Sequence, residues 1–335
     1  MQVRTGEYSG RRFAGPGADA EPVIRQAKRG ERAMDHIPVL TAEVLRYLVH
    51  ENSRLLIDGT VGAGGHAAAL LESNSDLRLI GVDRDPTALQ IASDRLARFE
   101  NRVRLVRGVF PDLAAVLSPG ELADGILLDL GLSSMQLDDP DRGFSYSAGG
   151  ALDMRMDQTG EPLGEWLAGA AEPDIAGVLK RYGEVTRARN IARHIKSAAD
   201  AGGLETTLDL KAAVERALGG TVKPAELSRV FQAFRVHVNR ELELLDGFLA
   251  VCIDHLKPGG RIVIISYHSL EDRAVKLFFK TESAICICPP GLPVCTCAHK
   301  PRLRVLTRRV VKPSAVEIAA NSRARSARLR AAEVI

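Results

Sequence analysis

The chain has 335 residues, a formal charge of +3, 45% hydrophobic and 26% charged residues. At on the order of 150 residues per domain this length suits two domains, and the balance of residue types excludes wholesale disorder. No uncharged apolar run approaches the roughly 20 residues that cross a bilayer, which excludes an integral membrane protein. The N-terminal stretch carries scattered arginines and no apolar signal core, so a cytoplasmic location is expected.

In chain order, residues 1–35 read as a flexible extension rich in Gly and Ala. Thr41 is placed to cap a helix through about Val49, with Val44, Leu45 and Leu48 on one face. A buried strand, Leu55 to Asp58, runs straight into Gly59-Thr60-Val61-Gly62-Ala63-Gly64-Gly65-His66 and an Ala/Leu-rich helix. Leu77 to Val82 form a second strand ending at Asp83, and Asp85-Pro86 opens the next helix. Val103 to Val106 and Gly125 to Leu130 follow as the third and fourth strands, the latter carrying Asp129. This alternation predicts an α/β protein with a parallel, Rossmann-like sheet and helices on both faces.

The next strand, Arg261 to Ser266, begins roughly 130 residues after Asp129. A crossover needs only a dozen or so, so a separate unit is inserted there. Its content is helical: Ala188, Ile191, Ala192 and Ile195 share a face, and Leu210, Ala213, Val214 and Ala217 share another before Gly219-Gly220. One long helix is expected from Pro224 through Leu249. The predicted organisation is a sheet domain from 36–136 and 241–335 around a helical insert at 137–240. Arg304 to Val311 reads as a terminal strand pair, inside a stretch from Lys300 to Arg330 with ten Lys or Arg and one acid, Glu317. That stretch is either a polyanion-facing surface or a solvated basic end.

A glycine turn between strand and helix brings backbone N–H groups close to a ligand, and an acid at the next strand's tip suits two ribose hydroxyls. Gly62, Gly64, Gly65 and Asp83 supply both parts. Gly62-x-Gly64-x-x-Ala67 also passes for a dinucleotide fingerprint, so an NAD-dependent oxidoreductase stays open as an alternative. Asp58 ahead of the loop favours S-adenosylmethionine. Asp129 leaves the sheet at its ligand-facing end, where it either polarises a nucleophile or only caps the next segment or holds cofactor.

Several ordered blocks then coincide: Asp58-Gly59-Thr60-x-Gly62-x-Gly64-Gly65-His66, Gly81-Val82-Asp83-Arg84-Asp85-Pro86 and Asp129-Leu130-Gly131-x-Ser133-Ser134-x-Gln136. Leu152-Asp153-Met154-Arg155-Met156-Asp157, Phe231-Gln232-Ala233-x-Arg235, Ser266-Tyr267-His268-Ser269-Leu270-Glu271-Asp272-Arg273 and Asn321-x-Arg323-Ala324-Arg325-Ser326 continue the run. From about His36 onward the chain closely resembles the bacterial 16S rRNA (cytosine-N4) methyltransferases, the small-subunit methyltransferase H family. The resemblance implies an S-adenosylmethionine-dependent enzyme that methylates a cytidine N4 in the decoding region, with 16S rRNA or the small ribosomal subunit as partner. It also implies cofactor contacts at Gly64, Gly65, His66, Asp83, Phe110, Asp129 and Gln136. Val185 after Tyr182-Gly183-Glu184, and Ala225 to Ser228, depart from the family pattern inside the insert. A non-catalytic rRNA-binding assembly factor on the same fold is the other alternative.

Cytosine N4 is a poor nucleophile because its lone pair is delocalised into the ring, so catalysis should rest on positioning and on acceptors for the amine. Asp129 and His268 are the candidate catalytic residues. The other role for His268 is to orient a turn capped by Ser269 and Asp272. Trp166, the only tryptophan, is a candidate stacking platform or a core residue. Arg229, Gln232, Arg235 and Asn239 share one side of the expected long helix and are candidates for gripping RNA. Finally, Cys286-x-Cys288 and Cys295-x-Cys297 flank a Pro289-Pro290-Gly291 turn. As a hairpin they would put four thiols on one face, fit for tetrahedral zinc, the alternative being free thiols; the family's activity does not depend on such a motif.

Overall fold

Short apolar runs separated by helical periods pair as the interior of one sheet. The computed structural model describes residues 38–289 and 294–335; the expected extension at 1–35 and the turn at Pro290 and Gly291 lie outside them. The first half runs α1 (Thr41–Leu48), β1 (Leu55–Asp58), α2 (Gly65–Ser73), β2 (Arg78–Asp83), α3 (Pro86–Leu96), β3 (Val103–Arg107), α4 (Leu113–Val116) and β4 (Ala123–Asp129). Next come α5 (Ser134–Asp138), α6 (Leu163–Gly169), α7 (Glu172–Gly183), α8 (Ala188–Asp200), α9 (Thr207–Leu218), α10 (Pro224–Val238) and α11 (Glu241–Val251). The chain closes with β5 (Leu256–Ser266), α12 (Ser269–Glu282), β6 (Leu303–Val305), α13 (Ala315–Ala320) and β7 (Arg328–Val334).

The strand order is β3-β2-β1-β4-β5-β7-β6. β1 to β5 are parallel, and β7 runs antiparallel to both β5 and β6. The order reverses between β1 and β4, which opens a crevice at their carboxyl ends, where ligands of open α/β sheets bind. The antiparallel β7 between β5 and β6 departs from the usual 3-2-1-4-5-6 dinucleotide sheet and argues against the oxidoreductase alternative.

Both faces of the sheet are covered, which explains the continuous apolar runs. Leu55, Ile57, Ile126, Leu128, Ile262 and Ile264 pack with Phe248 of α11 and Phe279 of α12 on one face. Leu56, Leu127, Val263 and Ile265 pack with Leu48 of α1 and Leu70 of α2 on the other. A third cluster belongs to the insert, from Phe144 and Met154 to Phe231 and Phe234. No helix among the described residues is long and apolar enough to cross a membrane.

Three expectations about elements are corrected. The single long helix is two: α10 ends at Val238, and Arg240 turns left-handed (φ 52°) before α11. The break is held by Asn239, whose Nδ2 donates to Met154 O (2.7 Å) and whose Oδ1 accepts from Met156 N (2.8 Å). The expected strand pair from Arg304 to Val311 is only β6 with an isolated bridge from Val311 to Leu329; the true partner, β7, lies within and beyond the basic stretch. Leu40, not Thr41, occupies the cap position of α1, and the Thr41 hydroxyl donates to Pro38 O (2.8 Å).

Candidate active site

The loop after β1 is shaped by backbone bonds that reach across the sheet. Gly59 N donates to Leu127 O (2.9 Å), Val61 N to Val82 O (2.9 Å), and Asp129 N to Thr60 Oγ (2.6 Å), so the tips of β1, β2 and β4 are tied together. Gly64 has φ +78° and forms the N-cap of α2, a backbone state that only Gly adopts freely. At Gly65 a Cβ would sit 2.6 Å from Pro38 Cγ, so any larger residue would push the loop outward.

This loop borders a cavity of about 1540 Å³ between the strand ends and the insert. Typical ligand pockets span about 300–1,000 Å³, so there is room for a cofactor and a second group. Gly62, Gly65, His66, Asp83, Phe110, Asp129 and Gln136 all line it. Gly64 does not; its part is to turn the chain, packed against Leu96. Asp58 is also withdrawn, 1% exposed, with its carboxyl pushed up to about 7 by burial against the opposing pull of His66 and the Thr60 N–H.

Each predicted group has a defined setting. Asp83 accepts Gly62 N at Oδ2 (2.8 Å) and Asp85 N at Oδ1 (2.9 Å); burial raises its pKa while these N–H groups oppose the rise. Phe110 presents an apolar wall and stacks edge-on to Phe248 at 5.9 Å. Gln136 is held at both ends: Oε1 accepts from Ser133 N (3.1 Å) and Nε2 donates to Asp85 Oδ2 (2.9 Å). The Asp129 carboxylate accepts the Tyr267 hydroxyl at Oδ1 (2.9 Å), and its Oδ2 lies 3.4 Å from His66 Nε2. That last approach lacks hydrogen-bond geometry, so both nitrogens of buried His66 are without a hydrogen-bond partner.

His268 is corrected. It is the N-cap of α12: its Nδ1 accepts from Glu271 N (3.4 Å), and Glu271 returns a bond from the His268 N–H (3.3 Å). Its ring is buried away from the cavity wall, and the neighbours Tyr267 and Glu271 line that wall instead. The capping box therefore sits one residue earlier than Ser269 and Asp272 suggested. Burial alone would raise the Glu271 carboxyl, but His268 and Arg235 hold it below the ordinary range.

Two residues of the candidate RNA-gripping face of α10 are engaged within the protein. Arg235 forms a bidentate pair with Glu241, at 2.8 Å for both bonds, inside the cavity wall. Asn239 is 2% exposed and locks the helix break. The turn at Arg240 brings Glu241 back onto Arg235, which no straight helix would do. Arg229 is exposed, and Trp166 is half-buried between Phe234 (6.2 Å) and His237 (4.3 Å).

Sequence reasoning missed Tyr267, Glu271 and the polar seam that joins insert to sheet. In that seam Arg142 donates to Asp85 Oδ2 (2.9 Å) and to Met156 O (2.7 Å), while Arg84 Nε donates to Asp157 Oδ2 (2.9 Å). Tyr267 was findable, because it follows the carboxyl end of β5, the neighbour of β4.

The basic stretch is partly neutralised. Arg302 pairs with Asp254, Arg304 with Glu333, Arg323 with Asp138, and Arg330 with Asp272. Arg308, Arg309, Lys312 and Arg325 are exposed.

A model of the MraW methylase family matches residues 33–335. A ribosomal RNA small subunit methyltransferase H of Thermomicrobium roseum is 47% identical over 307 residues, covering 90% of this chain and 94% of the relative. The protein of the same name from Syntrophotalea carbinolica is 47% identical over 303 residues, covering 88% and 96%. With the glycine loop, Asp83 and Asp129 gathered around one cavity and the match running through both sheet and insert, the chain belongs to the MraW methylase family.

Proposed function

We propose that this protein transfers a methyl group from S-adenosylmethionine to the exocyclic N4 of a cytidine in 16S rRNA. The observation that carries the reading is one cavity lined by the glycine loop and Asp83 together with the Asp129–Tyr267 pair. The residues present fit the cofactor. Asp83 accepts one backbone N–H on each oxygen and keeps lone pairs for two ribose hydroxyls, and Phe110 offers the adenine an apolar wall. His66 adds ring nitrogens that make no hydrogen bond, with Nε2 facing Asp129 Oδ2 at 3.4 Å. When bound, S-adenosylmethionine supplies an electrophilic sulfonium methyl.

The chain's own part is positioning. An extruded cytosine places its amine against Asp129, whose Oδ1 is held by Tyr267 and whose Oδ2 accepts an amine N–H. That hydrogen bond draws the nitrogen lone pair out of the ring and toward the methyl. Burial, then the Asp129 charge, push the Tyr267 phenol far above its ordinary pKa, so it remains a donor throughout. Oδ2 is also the site that holds the proton the amine loses on transfer. Outside the cavity, exposed Arg229 serves as a phosphate contact, and Trp166 offers an aromatic edge.

The test is methyl transfer from labelled S-adenosylmethionine to 16S rRNA and to small subunits, followed by nuclease digestion and mass spectrometry. One labelled N4-methylcytidine per particle is expected. Tight particle binding without transfer would identify an assembly factor and overturn the proposal, as would label on any other base.

A further inference from the structure

The cysteine-bearing segment between α12 and β6 has no role in the cavity. We infer that Cys286, Cys288, Cys295 and Cys297 form a tetrathiolate site for one structural Zn²⁺. All four are free thiols, and their sulfurs lie within 4.8 Å of one another. Four of the separations are 3.5 Å (Cys286–Cys295), 3.9 Å (Cys288–Cys295), 3.5 Å (Cys295–Cys297) and 3.9 Å (Cys286–Cys297). A tetrahedron with Zn–S bonds of about 2.3 Å has edges of about 3.8 Å. Four of the six edges therefore already match those a zinc ion requires.

Backbone donors complete the cradle. Cys288 N donates to Cys286 Sγ (3.4 Å), Ile287 N to Cys297 Sγ (3.5 Å) and Thr296 N to Cys288 Sγ (3.4 Å). Such N–H groups stabilise the thiolate form that binds metal.

Among its described residues the segment has little apolar packing to hold its shape. Ile285, Ile287 and Val294 are 83%, 49% and 70% exposed, so these apolar side chains build no core beneath it. No helix or strand falls among the described residues from 284 to 300, so the sulfurs are gathered without a β-ladder among them. Sulfur geometry thus does for this segment what core packing does elsewhere, as in small metal-dependent folds. Four soft thiolates leave no open coordination position, so the ion is structural, and zinc fits this ligand set better than Mg²⁺ or Ca²⁺.

The experiment uses the full chain, reduced and stripped with a chelator, then titrated with Co²⁺. One equivalent should give the absorption of tetrahedral cobalt with thiolate charge-transfer bands, and Zn²⁺ should displace it. Cys286→Ser/Cys297→Ser should abolish those bands while thermal stabilisation by S-adenosylmethionine persists, which separates loss of metal from unfolding. Zinc should also slow proteolytic cleavage between residues 284 and 300 by at least about tenfold in the unmutated chain. An octahedral spectrum, an iron–sulfur chromophore in the purified protein, unchanged cleavage, or no uptake by the reduced chain would overturn the inference.

Discussion

The sheet rim and the α10 face both gather charged and polar groups beside the cavity, but they use them in opposite ways. At the rim, Asp83 is held by backbone N–H groups and the Asp129 carboxylate by the Tyr267 hydroxyl with His66 alongside, and each keeps acceptor capacity directed at the cavity. On α10, Arg235 is committed to Glu241, and Asn239 is committed to the backbone of Met154 and Met156. Groups anchored by one or two neutral donors remain available to a ligand. Groups saturated by an ion pair or by several backbone bonds hold the scaffold together.

The contrast can be broken by substitution. Asp129→Asn should lower kcat by about 10²–10⁴-fold with little change in S-adenosylmethionine affinity, measured by single-turnover transfer. Full activity would reduce the rim to scaffold. Arg235→Ala should cost about 3–5 kcal/mol of stability in urea unfolding, because Glu241 and Glu271 lose their buried partner. A stable variant with weakened RNA binding would place Arg235 on the substrate side of the comparison. Asn239→Ala should cost about 1–3 kcal/mol by leaving the Met156 N–H unsatisfied.

A smaller effect is tied to pH. Asp58 has a pKa raised to about 7, so it is substantially protonated below neutrality. A cationic ligand favours its ionised form, and affinity for S-adenosylmethionine should therefore rise as pH increases through 7, by at most about tenfold per unit. Calorimetry across pH 6–8 should show proton release on binding, and Asp58→Asn should flatten the profile. An equally steep profile in that variant would assign the effect to another group. Smallest of all, Arg229→Ala should change stability by less than about 0.5 kcal/mol while reducing rRNA affinity and its salt dependence. If rRNA affinity is unchanged, α10 contributes no phosphate contact from this position.

Much of the cavity was legible because its signals are local. Gly62 and Gly64 take positive φ, and Asp85 caps α3 through the Thr87 N–H, each a property of a few adjacent residues. His268 was misjudged because capping boxes shifted by one residue look alike in sequence; only the bond between Glu271 N and His268 Nδ1 decides between them. The pairing of Arg235 was not legible because its partner lies six residues ahead, beyond the reach of a continuous helix, and meets it only through the left-handed turn at Arg240.

Composition, apolar runs and turn residues alone determined that this chain builds a parallel sheet, where the glycine loop stands, and that a helical unit interrupts the strands. These follow from backbone preference and burial, which act over a few residues. The tertiary structure alone decided that β7 inserts antiparallel between β5 and β6, which charges pair, and which side chains reach the cavity. Both faces of the sheet are buried, so no polar alternation marks a strand's side or its neighbour. Charges of equal rank on a helix face differ only in what the rest of the fold brings against them.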